Sequence, residues 1–158
     1  MTQFLRDILR QPNELKRTID FLLGAGRPTL DAATAAVRGA RHVYLTGIGS
    51  SWHAALTAVP LFHLRAHPVY AHDAAELLEF AEFPTDSVVI VISRSGRSVE
   101  IVNLLAKIRS SGVTVIGITN SEDGRSQKKR RFPLWFPSSW ITRFLSTRIP
   151  RWQWPPGF

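Results

Sequence analysis

The stretch Ser87-Val-Val-Ile-Val-Ile-Ser-Arg-Ser-Gly-Arg-Ser98 decides the fold of this chain. Ser87 to Ile92 is a nearly unbroken Val/Ile run. That composition suits a strand covered on both faces in a parallel sheet, not one that alternates between core and water. The run then breaks into serines, one glycine and two arginines, and apolar spacings of three and four resume, predicting a helix over Ser98 to Ser110. Strand, short polar turn and helix in that order are the repeating unit of an α/β layer.

Outward from this unit the same alternation recurs. Gly112 stops the helix and Val113 to Ile118 reads as a further strand. Upstream, Pro84-Thr-Asp86 is a turn, Asp73 can cap a helix over Ala74 to Phe80, and Pro68 to Ala71 is a short strand. A helix is expected from Ser51 to about Ala66, and a strand over His42 to Thr46. Before these, Thr29 to Val37 reads as a helix started by a Thr or Asp cap. Residues 3 to 24 carry apolar side chains at Phe4, Leu5, Ile8, Leu9, Leu15, Ile19, Leu22 and Leu23, a helical pattern that Pro12 should divide in two. The expected architecture is a three-layer α/β sandwich around a parallel sheet with right-handed crossovers. In such sheets ligands bind beyond the carboxyl ends of the strands, which directs attention to the turns after Thr46, Ile92 and Ile118.

Composition bounds the rest. With 158 residues, 44% of them apolar, the chain suits one domain with a core. It has no cysteine, which excludes disulfides, thiolate metal sites and cysteine nucleophiles. The opening residues Met1-Thr-Gln-Phe-Leu-Arg-Asp7 lack the apolar core of a secretory signal, and no apolar run reaches a membrane span, so the expected location is the cytoplasm, without a membrane partner. The net charge of +8 is confined to the end: residues 1–124 hold 12 basic and 12 acidic side chains, and residues 125–158 hold 8 basic and none acidic. That tail also carries Trp135, Trp140, Trp152 and Trp154 and has no helical or strand period.

Trp is encoded by one codon, so Trp152-Gln-Trp-Pro155 is TGG CAR TGG CCN. Read one base upstream it becomes Leu/Met/Val-Ala-Met/Val-Ala, an ordinary helical run. Phe132 to Pro137 shifted in the same way permits Phe-Pro-Leu-Val-Val-Pro, a strand. The expectation is a base lost near Gly124, an out-of-frame tail, and a fold lacking its last strand and helix; an intact frame at the sequenced locus would refute it. Three parts follow: helices over 1–40, an α/β core over 41–124 and a tail over 125–158 that is no domain. A basic aromatic tail could also suit nucleic acid, but no recognised module accompanies it, and no nucleic-acid partner is expected.

Two turns carry the chemistry. Gly47-Ile-Gly-Ser-Ser-Trp-His53 joins strand to helix with two glycines and two serines; Ser93-Arg-Ser-Gly-Arg-Ser98 does so with three hydroxyls and two guanidinium groups. Hydroxyls and the free N–H groups of a first helical turn suit an anion, with phosphate the natural guest. Either turn alone is as well explained by a serine helix cap. The Lys of a mononucleotide P-loop and the third glycine of a dinucleotide fingerprint are both missing.

On Gly47-Ile-Gly-Ser-Ser-Trp-His53, Ser93-Arg-Ser-Gly-Arg-Ser-Val-Glu100 and Gly117-Ile-Thr-Asn120, residues 3–124 resemble the SIS (sugar isomerase) domains, which bind phosphosugars. The opening Phe4-Leu-Arg-Asp-Ile-Leu-Arg-Gln-Pro12 is similar to that of the isomerase half of glucosamine-6-phosphate synthases (glutamine:fructose-6-phosphate aminotransferases). The resemblance implies a flavodoxin-like SIS fold in which Ser51, Ser93, Ser95 and Ser98 hold the sugar phosphate, with Ser50 and the backbone of Arg94 and Gly96 completing the cradle. Arg94 stands where those synthases usually have glutamine. Arabinose-5-phosphate isomerases tend to carry Lys where Ser50 stands. The Glu, His and Lys groups of the synthases' isomerase step belong to a second SIS repeat and C-terminal segment that this chain does not contain, so turnover by this chain alone is not expected. The implied role is binding of a hexose or amino-sugar phosphate, with a non-catalytic sensor as the alternative. A homodimer or a second SIS repeat is the implied partner, and no cofactor is implied.

Other residues have plainer readings. His63 and His67 have the spacing of a two-histidine metal face but no third ligand, and no metal is expected. His53 follows the first serine turn and could touch ligand or face water, Trp52 should pack at the base of that turn, and Glu76, Glu79 and Glu82 suit a solvated helix.

Overall fold

The computed structural model describes residues 2–119. In chain order these form α1 (Gln3–Leu23), α2 (Arg27–Gly39), β1 (His42–Thr46), α3 (Ser50–His63), β2 (Tyr70–Ala71), α4 (Ala74–Phe80), β3 (Ser87–Ile92), α5 (Val99–Ser110) and β4 (Thr114–Ile118). The strand, helix and tail expectations for residues 125–158 lie outside the described residues.

All strand pairs are parallel and the sheet order is β2-β1-β3-β4. His42 to Thr46 of β1 run beside Ser87 to Val91 of β3, and Val88 to Ile92 of β3 beside Thr114 to Ile118 of β4. The two central strands are covered on both sides, which is why β3 is apolar from Val88 to Ile92. Val88 and Ile90 join Val43, Leu45 and Ile116 under Ala33 of α2 and Ala55 of α3. Val89 and Val91 pack against Ala74 and Leu77 of α4 and Ile101, Leu104 and Ile108 of α5. Helices therefore lie on both faces of a parallel sheet, the expected three layers. The chain moves from β1 outward to β2, then back across β1 to β3, so the topological switch point lies between β1 and β3.

Several boundaries differ from expectation for local reasons. Pro12 does not divide the first helix: α1 runs through it. A proline there removes the N–H that would bond the Ile8 carbonyl, but Pro12 is exposed and water can serve that carbonyl. Pairs one turn apart brace either side, Gln3 Nε2 to Asp7 at 2.8 Å and Lys16 Nζ to Asp20 at 2.9 Å. The second helix begins at Arg27, not Thr29, on a Gly26 N-cap with no side-chain cap. Pro28 sits in its first turn, where its missing N–H costs nothing, and Asp31 accepts from Arg27 Nε at 2.8 Å instead of capping. The third helix stops at His63, and Ala66 takes a φ of +53° in the turn that follows. His63 and His67 therefore do not share a helix face. His67 Nε2 instead meets the Val37 carbonyl at 3.0 Å, and no cluster of three metal-ligating side chains occurs among the described residues. Among them also, no helix is long and apolar enough to cross a membrane.

Candidate functional site

The register places both serine turns at one end of the sheet. Thr46 and Val91 are paired neighbours at the carboxyl ends of β1 and β3, so the turns over 47–50 and 93–98 start from adjacent strands, about 4.8 Å apart. Each leads into a helix N-terminus, α3 after the first and α5 after the second. The turn after β4 begins beside them: Ser93 N–H donates to the Ile118 carbonyl at 3.0 Å, and Thr119 Oγ1 donates to the Arg94 carbonyl at 3.3 Å.

Backbone geometry explains the glycines of the first turn. A Cβ on Gly47 would stand 2.7 Å from the Ser51 carbonyl carbon and 2.8 Å from its oxygen, so only glycine lets β1 run this close under the first turn of α3. Gly49, the N-cap of α3, has φ +58° and ψ −124°, a conformation essentially reserved for glycine. With no side chain, Gly49 leaves the α3 N-terminus without a side-chain cap, and α5 also begins without one although Ser98 is its N-cap. Away from the switch point, α1 and α4 are closed by their own residues, whereas α2, like α3 and α5, begins without a side-chain cap. Thr2 Oγ1 accepts from Leu5 N–H, and Asp73 and Glu76 form a full capping box. Two helix starts with donors not taken by caps thus flank the switch point, where anions are favoured.

The sequence-derived residues fall into distinct situations. Ser93 is buried and its Oγ accepts the Gly96 N–H at 3.0 Å; exposed Ser95 accepts the Arg97 N–H at 3.3 Å. Both hydroxyls are thereby fixed as acceptors and keep their own O–H to donate. Gly96 contributes the shape of the turn, since its amide is committed to Ser93. Ser98 and Ser51 are half-buried and Ser50 is exposed; none of their hydroxyls is bonded among the described residues. The Ser51 amide is committed to the Ile48 carbonyl at 3.2 Å. Arg94 and Arg97 are exposed and form no ion pair among the described residues, leaving two guanidinium groups at the turn. No hydrogen bond joins the two turns among the described residues.

The first turn is braced from α4, where Ala74 N–H donates to the Gly47 carbonyl at 3.1 Å. Trp52 packs against the α2/α3 side of the core, close to its expected place at the turn base. His53 is exposed and its Nδ1 lies 2.9 Å from the Gly49 carbonyl, a bond within the turn. Two features escaped the sequence reading. Thr46 Oγ1, fully buried immediately before Gly47, has no partner among the described residues, and Thr119 ties the β4 turn to Arg94. A threonine at the end of β1 and one just past β4 were the only signals for these. A groove of about 780 Å³ lies elsewhere, between α2 and the end of α3 over Ile90, Ile116 and Ile118, and none of the sequence-derived site residues lines it.

Comparison with known proteins agrees with this geometry. The family model described as SIS domain matches residues 36–134. A glutamine–fructose-6-phosphate aminotransferase [isomerizing] of Pyrobaculum aerophilum is 31% identical over 117 residues, covering 73% of this chain and 19% of that protein. The chain spans about a fifth of the length of the curated relatives it matches. Among solved structures, the C-terminal domain of glucosamine-fructose-6-phosphate aminotransferase from Francisella tularensis superposes with a TM-score of 0.65 at 24% identity, over 75% of this chain and 34% of that one. The sugar isomerase domain of the RpiR transcription factor from Sphaerobacter thermophilus superposes with a TM-score of 0.62 at 18% identity, over 77% and 68%. At these identities the structural likenesses establish the shared fold.

Proposed function

Because the chain belongs to the SIS-domain family, we propose that it binds a sugar phosphate, of the hexose or amino-sugar class, at the switch point between β1 and β3. One observation carries this reading: two helix starts without side-chain caps stand on neighbouring strands, with serine hydroxyls in both turns. Ser93, Ser95 and Ser98 hold the phosphate from the β3 side and Ser50 and Ser51 from the β1 side. The Arg94 backbone and the Gly96 turn shape that cradle, and the Arg94 side chain adds a positive charge beside it. The core over 41–124 carries the site and the helices over 1–40 support it; the family match runs on to residue 134, into the tail whose codons read as out-of-frame. Binding, not turnover, is the activity of this chain by itself, and its partner is a second SIS repeat or a second copy. The names of the relatives support fructose 6-phosphate as the first ligand to try.

Thermal unfolding of the full chain with fructose 6-phosphate and with glucosamine 6-phosphate tests this. A ligand of the native state raises the midpoint in proportion to the logarithm of its concentration above Kd. The midpoint should rise with at least one sugar and lose that response in Ser95→Ala. No rise with either sugar overturns the reading. Turnover of fructose 6-phosphate would show an enzyme, whereas binding without turnover fits a sensor equally well.

A further inference from the structure

Beside α2 and the end of α3, over Ile90, Ile116 and Ile118, the fold leaves a groove of about 780 Å³, a size that in other proteins takes a drug-sized ligand. Its apolar lining is unfinished. Leu22, Leu30, Val37, Phe62 and Ile118 line it and are only half-buried among the described residues. Arg38 and Arg65 also line it, both exposed and in no ion pair among the described residues, so a cationic occupant is disfavoured. The chain itself leaves the described fold at this groove: Ile118 ends β4 and is part of the lining, and residues 120–158 follow. In the tail, every basic residue falls within 125–131 or 143–151, so 132–142 is its longest uncharged stretch, and that stretch opens with Phe132-Pro-Leu-Trp-Phe-Pro137.

We propose that the segment over 132–137 of the chain's own tail docks in this groove and covers Val37, Phe62 and Ile118, with Leu134 and Trp135 as the inserted side chains. The connection from Thr119 to Phe132 reaches about 43–47 Å when extended. The segment can therefore arrive while the basic run over 125–131 stays in water, clear of Arg38 and Arg65. Tethering holds it at an effective concentration of about a millimolar, above that of a free partner or a second copy in dilute solution, and Pro133 and Pro137 reduce the freedom lost on docking. Burial of apolar surface is non-directional, so a segment of out-of-frame origin needs no selected shape to do this. A free apolar anion would also suit two guanidinium groups beside an apolar floor, but it must displace a segment that is always present. None of the serine-turn residues lines the groove, and the proposal is independent of the ligand reading above.

Isoleucine-methyl NMR of the full chain reads the contact. In Leu134→Ser with Trp135→Ser, the methyl resonances of Ile116 and Ile118 should move as the indole ring leaves, while those of Ile101 and Ile108, on the opposite face of the sheet, should stay. The same variant should brighten the apolar dye anilinonaphthalene sulfonate severalfold. Since the chain has no cysteine, oxidation locates the segment without that variant. Thr34→Cys, on the exposed wall of the groove, should close a bond within one chain to Leu134→Cys and not to Ser146→Cys. Unmoved Ile116 and Ile118 resonances, equal oxidation of both cysteine pairs, a bond that forms only between chains, or decanoate shifting the Ile118 methyl as strongly in the unaltered chain as in the serine variant each overturns the proposal. The thermal response to a sugar phosphate should be the same in the serine variant and the unaltered chain, so the two readings fail separately.

Discussion

Ser93 and Ser98 share a turn but differ in what their hydroxyls already do, and the difference separates folding from binding. Ser93 Oγ accepts the Gly96 amide, so Ser93→Ala should cost about 1 kcal/mol in denaturant unfolding and also weaken the ligand response. Ser98 is unbonded among the described residues, so Ser98→Ala should leave stability within about 0.5 kcal/mol of wild type and reduce only the ligand response. Gly47→Ala forces a Cβ against the Ser51 backbone and should destabilise by about 1–3 kcal/mol, seen as a lower denaturant midpoint at unchanged slope. Tyr44, packed against Tyr70 and Phe83, has its hydroxyl pKa raised above the ordinary 10.0, first by burial and then by Tyr70 and Asp86. The unfolded chain thus ionises at Tyr44 before the folded one. The neutral-tyrosine contribution is whole below pH 10 and is lost as pH rises from there through the folded value. Tyr44→Phe should flatten the alkaline fall in stability measured by denaturant unfolding. The serines and glycines of the two turns were legible because their local spacing is itself the signal. Thr119 was not, since its partner, the Arg94 carbonyl, lies 25 residues away.

Among the elements, β1, α4 and β3 have the boundaries the sequence predicts, because each is bracketed by strong local chemistry: glycine after β1, Asp73 before α4, Pro84 before β3. Boundaries that rested on a single residue moved. Pro12 was overridden inside α1, and the expected cap of α2 gave way to an earlier start on Pro28. Asp73 shows what a correctly read cap does here. Its carboxylate accepts the Ala75 amide at 2.9 Å while Glu76 accepts the Asp73 amide at 3.2 Å. This fixes the start of a seven-residue helix whose first amide also holds the Gly47 carbonyl. Asp73→Ala should therefore cost about 1 kcal/mol and speed hydrogen exchange in the turn over 47–50 as well as in α4. Faster exchange in α4 alone would separate the cap from the turn.

At the scale of the molecule, the layers were legible and the strand order was not. Alternating strands and helices imply a parallel sheet, but the sequence contains no local mark that β1, not β2, neighbours β3. That pairing depends on which apolar surfaces fit across the whole sheet, with Val43 and Leu45 buried beside Val88 and Ile90. The exposed face of α1 was legible only as periodicity, since spacing alone does not reveal that α2 covers so little of it. If the ligand site belongs to the core alone, a chain ending at residue 124 should keep the same ligand-induced rise in unfolding midpoint as the full chain. A smaller rise would assign the tail a part in the site.

The adjacency of β1 and β3 has a consequence for how this scaffold can vary. The excursion between them, residues 47–86, leaves and returns to neighbouring tracks, so a longer connection between Ala81 and Asp86 bulges into solvent without prising the two hydroxyl-bearing turns apart. The spacing of the two turns is in that sense insulated from the length of the intervening polypeptide. Lineages or engineers could graft new loops there while that spacing stays pinned by one width of backbone pairing.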